Sequence, residues 1–194
     1  MINNEMMALG KKSSIIRELF EYAKKRKAEI GEENVFDFTI GNPSIPAPDK
    51  VGEVINRLVT ERDAVALHGY TSAQGDMQVR TTIANSIKSR FGVNAAAEYI
   101  YMTCGAAASL TITLNALTNE GDEVIVLAPF FPEYKVFISK AGAKSVEVLC
   151  REEDFQIDFS ALERELTPKT KAIIVNSPNN PTGVVLSAET LTEL

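Results

Sequence analysis

The sequence predicts an α/β domain built on a parallel sheet covered by helices on both faces, with helices leading into it. Two observations carry that reading. From residue 99 onward, short apolar runs alternate with stretches of helical periodicity. The last of these runs, 172–176, is almost continuously apolar, as a strand buried on both faces must be. Composition agrees, since 45% hydrophobic and 24% charged residues in a chain of 194 describe an ordinary soluble globular protein.

Each element follows from its local pattern. Residues 13–30 place Ile16, Leu19, Phe20 and Ala23 on one helical face, while Lys24, Lys25, Arg26 and Lys27 crowd the later turns, where positive charge suits the helix dipole. Phe36, Phe38 and Ile40 alternate with Asp37 and Thr39, which predicts a half-buried strand. Residues 41–48 carry too much proline for an element and read as a linker or hinge. A helix is expected over 49–64, with Val51, Val54, Ile55 and Leu58 on one face, and another over 76–90, stopped by Gly92. Strands are expected at 99–103, 123–127, 145–149 and 172–176, and helices at 106–117, 132–140 and 159–166. Ser187 is a plausible N-cap for a final helix whose apolar face would begin with Leu191 and Leu194. That helix has no stop signal before the chain ends, so the expectation is the front part of a longer protein.

Several function classes are excluded. The 26 acidic against 20 basic side chains give a net charge of −6 with no basic block, which argues against a nucleic-acid partner. No apolar run approaches the roughly 18 residues of a membrane helix. The first ten residues lack the pattern of a secretory signal, so a cytoplasmic location is expected. Cys104, Cys150 and His68 are the only residues of their types, too few for a zinc site or a disulfide framework.

Three loops carry chemistry. Thr103-Cys104-Gly105-Ala106-Ala107-Ala108-Ser109 joins a strand to a helix through small residues. Such a turn can cradle an anion on free N–H groups, or simply allow close packing. It lacks the glycines of a dinucleotide fingerprint and the Gly-Lys-Ser/Thr of a P-loop. Ala128-Pro129-Phe130-Phe131-Pro132 follows the next strand, where an aromatic ring can lie flat on a ligand or belong to the core. Asn176-Ser177-Pro178-Asn179-Asn180-Pro181-Thr182-Gly183 follows the last strand, and two asparagines between two prolines exceed what a plain turn requires. An anion cradle, an aromatic plate and an amide on one sheet edge suit a planar, phosphorylated heteroaromatic ligand such as pyridoxal phosphate.

These elements, together with Tyr70, Gly75 and Arg80, resemble in order and spacing the class I/II aminotransferases of the aspartate-aminotransferase fold, from about residue 13 to residue 194. The resemblance implies a three-layer α/β/α large domain of pyridoxal-phosphate fold type I, incomplete at its C-terminus, with an N-terminal helical arm. Residues 1–48 would form the arm and the start of the small domain, with the proline-rich hinge, and 49–194 the N-terminal part of the cofactor-binding domain. It implies that Gly105, Ala106 and Ala107 form the phosphate turn, that Phe131 stacks on the cofactor ring, and that Asn180 hydrogen-bonds the cofactor's phenolic oxygen beside the substrate. It implies that Gly41 contacts the substrate carboxylate and that Tyr70 reaches the neighbouring subunit's cofactor phosphate in a homodimer. The activity implied is amino transfer between an amino acid and a 2-oxo acid. The Schiff-base lysine, the aspartate facing the pyridine nitrogen and the substrate-clamping arginine would all lie after residue 194. The 194 residues alone are therefore expected to be inactive, with the phosphate turn cut off from Phe131 and Asn180. A lyase of the same fold, or a non-catalytic domain binding a phosphorylated ligand or a protein partner, are the alternative readings.

Overall fold

The computed structural model describes residues 4–11, 15–39, 41 and 45–194. Cα packing divides the chain into two units, Met1–Tyr70 and Thr71–Leu194.

The first unit is helical. It contains α1 (Asn4–Lys11), α2 (Ile15–Ile30), a single 3-10 turn (Glu32–Asn34), α3 (Asp49–Glu61) and α4 (Ala64–His68). Helix α2 matches the expected 13–30 pattern over its described part, while α1 was not foreseen. The helix expected over 49–64 is two helices, because the Asp63 carboxylate accepts from the Ala66 N–H and starts a fresh helical turn after Arg62 has gone extended. The strand expected at 36–40 is absent among the described residues, and Ile40 lies outside them. Phe36 and Phe38 are 82% and 91% exposed, and period-two alternation makes a strand only where a neighbour supplies the ladder. Asp37 instead accepts from the Thr39 hydroxyl at 2.6 Å and the Thr39 N–H at 3.0 Å, which holds its carboxyl below the usual range.

The second unit carries the sheet. Helix α5 (Met77–Phe91) starts at Asp76, whose carboxylate accepts from the N–H groups of Gln78 and Val79, and stops at Gly92. After a 3-10 turn (Ala97–Tyr99) the chain runs on to α6 (Ala106–Leu117). There follow β1 (Glu123–Ala128), α7 (Glu133–Lys140), β2 (Lys144–Leu149), α8 (Phe159–Glu165), β3 (Thr170–Ile174) and α9 (Ala188–Glu193), the last capped by Ser187. Removing the Asp76 cap should cost about 1 kcal/mol. An Asp76→Ala protein that unfolds at the parent's denaturant midpoint would show that the cap contributes nothing.

The strands are parallel and ordered β2-β1-β3. Right-handed crossovers explain the layering. The chain steps from β1 to β2 through α7 and then back past β1 to β3 through α8. With the direction of travel reversed, the same hand puts α8 on the opposite face from α7. The core confirms this. Val124 and Val126 of β1 pack with Leu114 of α6 and Ile138 of α7, whereas Ile125 and Leu127 pack with Val148, Ile157 and Leu162 of α8. All six residues of β1 are buried, which makes it the centre of a three-layer α/β/α sandwich.

The strand expected at 99–103 is the second correction. Residue 99 ends the 3-10 turn, and 100–103 run without ladder partners among the described residues. Register at the sheet's rim is tied by side chains. The Thr167 hydroxyl donates to Glu123 at 2.7 Å, and Lys144 pairs with the same carboxylate at 3.6 Å. The Thr167 bond is the main reason the Glu123 carboxyl is held below its ordinary value. A depressed native pKa stabilises the fold above the carboxylate range and loses that contribution as pH falls through it. Thr167→Val should therefore flatten the acid-side decline of the thermal midpoint, and an unchanged pH profile would refute the linkage.

Candidate active site

The C-terminal ends of β1 and β3 bring two of the predicted loops side by side. The loop after β3 is a rigid turn. Asn179 donates its N–H to the Val184 carbonyl at 2.8 Å and accepts from the Gly183 N–H at 2.7 Å. The Ser177 hydroxyl accepts from Leu186 N–H at 2.9 Å. Asn176, with its amide nitrogen toward the Pro178 carbonyl at 3.2 Å, accepts the Asn180 N–H at 2.9 Å. The Asn180 side chain is exposed and spends its amide on no protein group among the described residues. The peptide bonds before Pro129, Pro178 and Pro181 are cis.

The loop after β1 separates its two phenylalanines. Phe130 packs against the cluster of Leu114, Val124, Val126 and Ile138, with its ring 6.4 Å from that of Tyr134 and nearly parallel to it. Phe131 lies outside that cluster and meets Tyr134 edge-on at 5.6 Å. Burial pushes the Tyr134 phenol up, so it stays protonated through neutral pH. Phe130, Tyr134, Asn176 and Asn179 line a cleft on this edge. Deleting the Phe130 ring should lower stability by about 1–2 kcal/mol, the share expected of a half-buried aromatic. Phe131 is also half-buried but lies outside the cluster, so Phe131→Ala should lower the thermal midpoint by less. Comparing the two melting curves tests the division, and equal losses would show that both rings are core.

The third loop lies at the N-terminus of α6. The short connection 118–122 joins the end of α6 to the start of β1, so the helix runs antiparallel to the strand. Its N-terminus therefore returns to the C-terminal end of the sheet. Leu114 anchors the C-terminal half of α6 on the β1 face without a strand at 99–103. Gly105 begins the helix at φ 91° and ψ 174°, a conformation essentially confined to glycine. No side chain caps α6, so the first-turn N–H groups of Ala106 and Ala107 keep their donors free, and both residues are exposed. Thr103 and Ser109 flank the turn with their hydroxyls 2.6 Å apart.

Arg80 is 3% exposed and makes three hydrogen bonds through Nε and Nη1. It donates to the carbonyls of Gly75 (3.2 Å) and Ala97 (2.9 Å) and to the Gln74 side chain (3.0 Å), which pins the loop before α5. Gly75, at φ 96°, lies against the Met102 side chain and leaves no room for a Cβ. In the first unit, Gly41 is exposed with nothing described within 4 Å of where a Cβ would stand, and the Tyr70 side chain is fully exposed.

A family model described as aminotransferase class I and II matches residues 33–194. The chain belongs to this family. It is 32% identical over 183 residues to the aromatic-amino-acid aminotransferase 2 of Thermococcus litoralis, covering 93% of this chain and 44% of the relative. Over 180 residues it is 33% identical to the alanine aminotransferase of Mycobacterium tuberculosis, covering 90% and 40%. An amino transferase structure from Eubacterium rectale superposes with a TM-score of 0.96 at 55% identity, over 100% of this chain and 49% of that one. A double mutant of Thermus thermophilus aspartate aminotransferase gives 0.86 at 30% identity, over 98% and 48%. The chain thus spans 40–49% of the length of these relatives. The aminotransferase fold expected from the sequence is the one observed.

Sequence reasoning missed Asn176 and Asn179 as the supports of Asn180, and Thr103 and Ser109 as hydroxyls beside the turn. Asn179 stood in plain view within the motif, but nothing local says which of two adjacent amides faces the protein.

Proposed function

We propose that the full-length protein containing this chain is a pyridoxal-phosphate-dependent amino-acid aminotransferase, moving an amino group between an amino acid and a 2-oxo acid. The observation that supports the reading is the pairing of two family loops at one sheet edge, with a third family loop at the uncapped N-terminus of α6. The residues fit the cofactor: an uncapped helix terminus suits a phosphate, Phe131 offers a ring outside the core, and Asn180 offers a free amide. When bound, pyridoxal phosphate would supply an electron sink for the electron pair left at the substrate α-carbon when its C–H bond breaks.

In this reading Gly105, Ala106 and Ala107 hold the phosphate through backbone N–H groups, and the α6 dipole adds to the attraction. Phe131 contributes a flat apolar surface and no hydrogen bond. Asn180 donates to the phenolic oxygen and borders the substrate, whose carboxylate meets the Gly41 backbone. Tyr70 extends to the neighbouring subunit's phosphate, so the protein works as a homodimer, in the cytoplasm. Residues 1–48 serve as arm and small-domain start, and 49–194 as part of the cofactor domain. Residues 1–194 by themselves do not transaminate.

Full-length protein mixed with pyridoxal phosphate should gain a visible absorbance that borohydride abolishes, and should convert an amino acid and a 2-oxo acid into the exchanged pair. Protein that binds no cofactor, or that binds it and releases only ammonia or carbon dioxide, refutes the assignment. Loss of affinity in Phe131→Ala should reach about 0.5–1.5 kcal/mol beyond the buried area.

A further inference from the structure

The family resemblance gives Asn179 no task, yet its side chain makes the one side-chain hydrogen bond that joins the two loops at the sheet edge among the described residues. Its Nδ2–H donates to the Pro129 carbonyl at 2.9 Å, across 50 residues of sequence. Pro129 has no N–H, so its carbonyl is the only polar handle by which the Phe130–Phe131 segment can be tied at that residue. Asn179 is in turn fixed through its own backbone to Gly183 and Val184, and its neighbour Asn180 is held by Asn176. A single amide thus links the turn that carries Asn180 to the loop that carries Phe131.

We infer that Asn179 is a positioning residue, setting the spacing between the Phe131 ring and the Asn180 amide and so the seat of the pyridoxal ring between them. The inference rests on the proposed function. It does not require Asn179 to touch cofactor or substrate. The donor is what matters: Asn179→Asp keeps the shape but turns an oxygen toward the Pro129 carbonyl, and Asn179→Ala removes the tie. Asn179→His keeps it, because the imidazole Nδ1 stands the same two bonds from Cβ as the asparagine Nδ2.

The test uses full-length parent, Asn179→Ala, Asn179→Asp and Asn179→His proteins. Hydrogen exchange in the cofactor-free state should quicken at the Phe130 and Phe131 amides in the Ala and Asp proteins, and stay at the parent's rate in the His protein. With pyridoxal phosphate added, the Kd should rise roughly three- to tenfold for Ala, the range of one neutral hydrogen bond. The visible circular dichroism of the bound cofactor should change relative to its absorbance, and both readings should return with His. Parent-like exchange and Kd in the Ala protein overturn the inference, as does a His protein as impaired as Ala. So does a lowered melting temperature with unaltered dichroism, which would mark a purely structural bond. A parent that takes up no pyridoxal phosphate overturns the proposed function and this inference with it. That failure is distinct, because the parent itself then lacks the absorbance.

Discussion

Asn180→Ala in the full-length protein loaded with pyridoxal phosphate should move the pH midpoint of the cofactor's visible spectrum upward, and lower the rate of amino transfer. The direction follows from charge. An amide donor beside the phenolic oxygen favours the form in which that oxygen carries its negative charge unshared, so removing the donor makes the neighbouring proton harder to lose. A hydrogen bond to a charged acceptor contributes about 1.5–3 kcal/mol. The fold should hardly notice, since Asn180 is exposed and its side chain is bonded to nothing in the protein among the described residues. The Asn180 N–H, which is bonded to Asn176, survives the substitution. A spectral titration that overlays the parent's would remove Asn180 from the cofactor.

Where the sequence could be read and where it could not has a common physical cause. Helix α6 and the strands β1 to β3 were legible because each closes its hydrogen bonds with neighbours inside the chain, so pattern and structure agree. The alternations at 36–40 and 99–103 have the residue types of strands, but a strand is a relation between two segments, and neither segment has a ladder among the described residues. The break between α3 and α4 turned on one carboxylate, Asp63, whose capping bond leaves no mark on apolar periodicity. At the site, the candidate residues were named from motif and spacing and from the family resemblance. Their supports were not legible: Arg80 and Asn179 act through carbonyls 17 and 50 residues away, and such bonds appear only once the chain is folded.

A polypeptide of residues 1–194 alone should show no amino transfer above the free-cofactor background, and borohydride should fix pyridoxal phosphate to no single lysine. The chemistry needs an amine held at the cofactor's aldehyde, on the edge where Phe131 and Asn180 sit. The lysines of the sheet unit are placed elsewhere. Lys144 and Lys171 stand at the first turns of β2 and β3, Lys169 just before β3, and Lys140 at the end of α7. All four therefore mark the N-terminal edge of the sheet, about 20 Å from the site by the length of a six-residue strand. Lys88 lies in the last turn of α5. Lys135 alone of these begins on the site's side. Its ammonium is paired with Glu147 and lies 5.5 Å from the centre of the Phe130 ring, so it is already engaged by two neighbours on the flank of the site. Phosphate binding at Gly105 could persist in such a fragment, because α6 keeps its place on β1 without any further strand. The measurement is a coupled assay of amino transfer, followed by borohydride reduction and peptide mapping of any modified lysine. One stoichiometrically labelled lysine, or turnover above background, would show that these residues already contain a complete site.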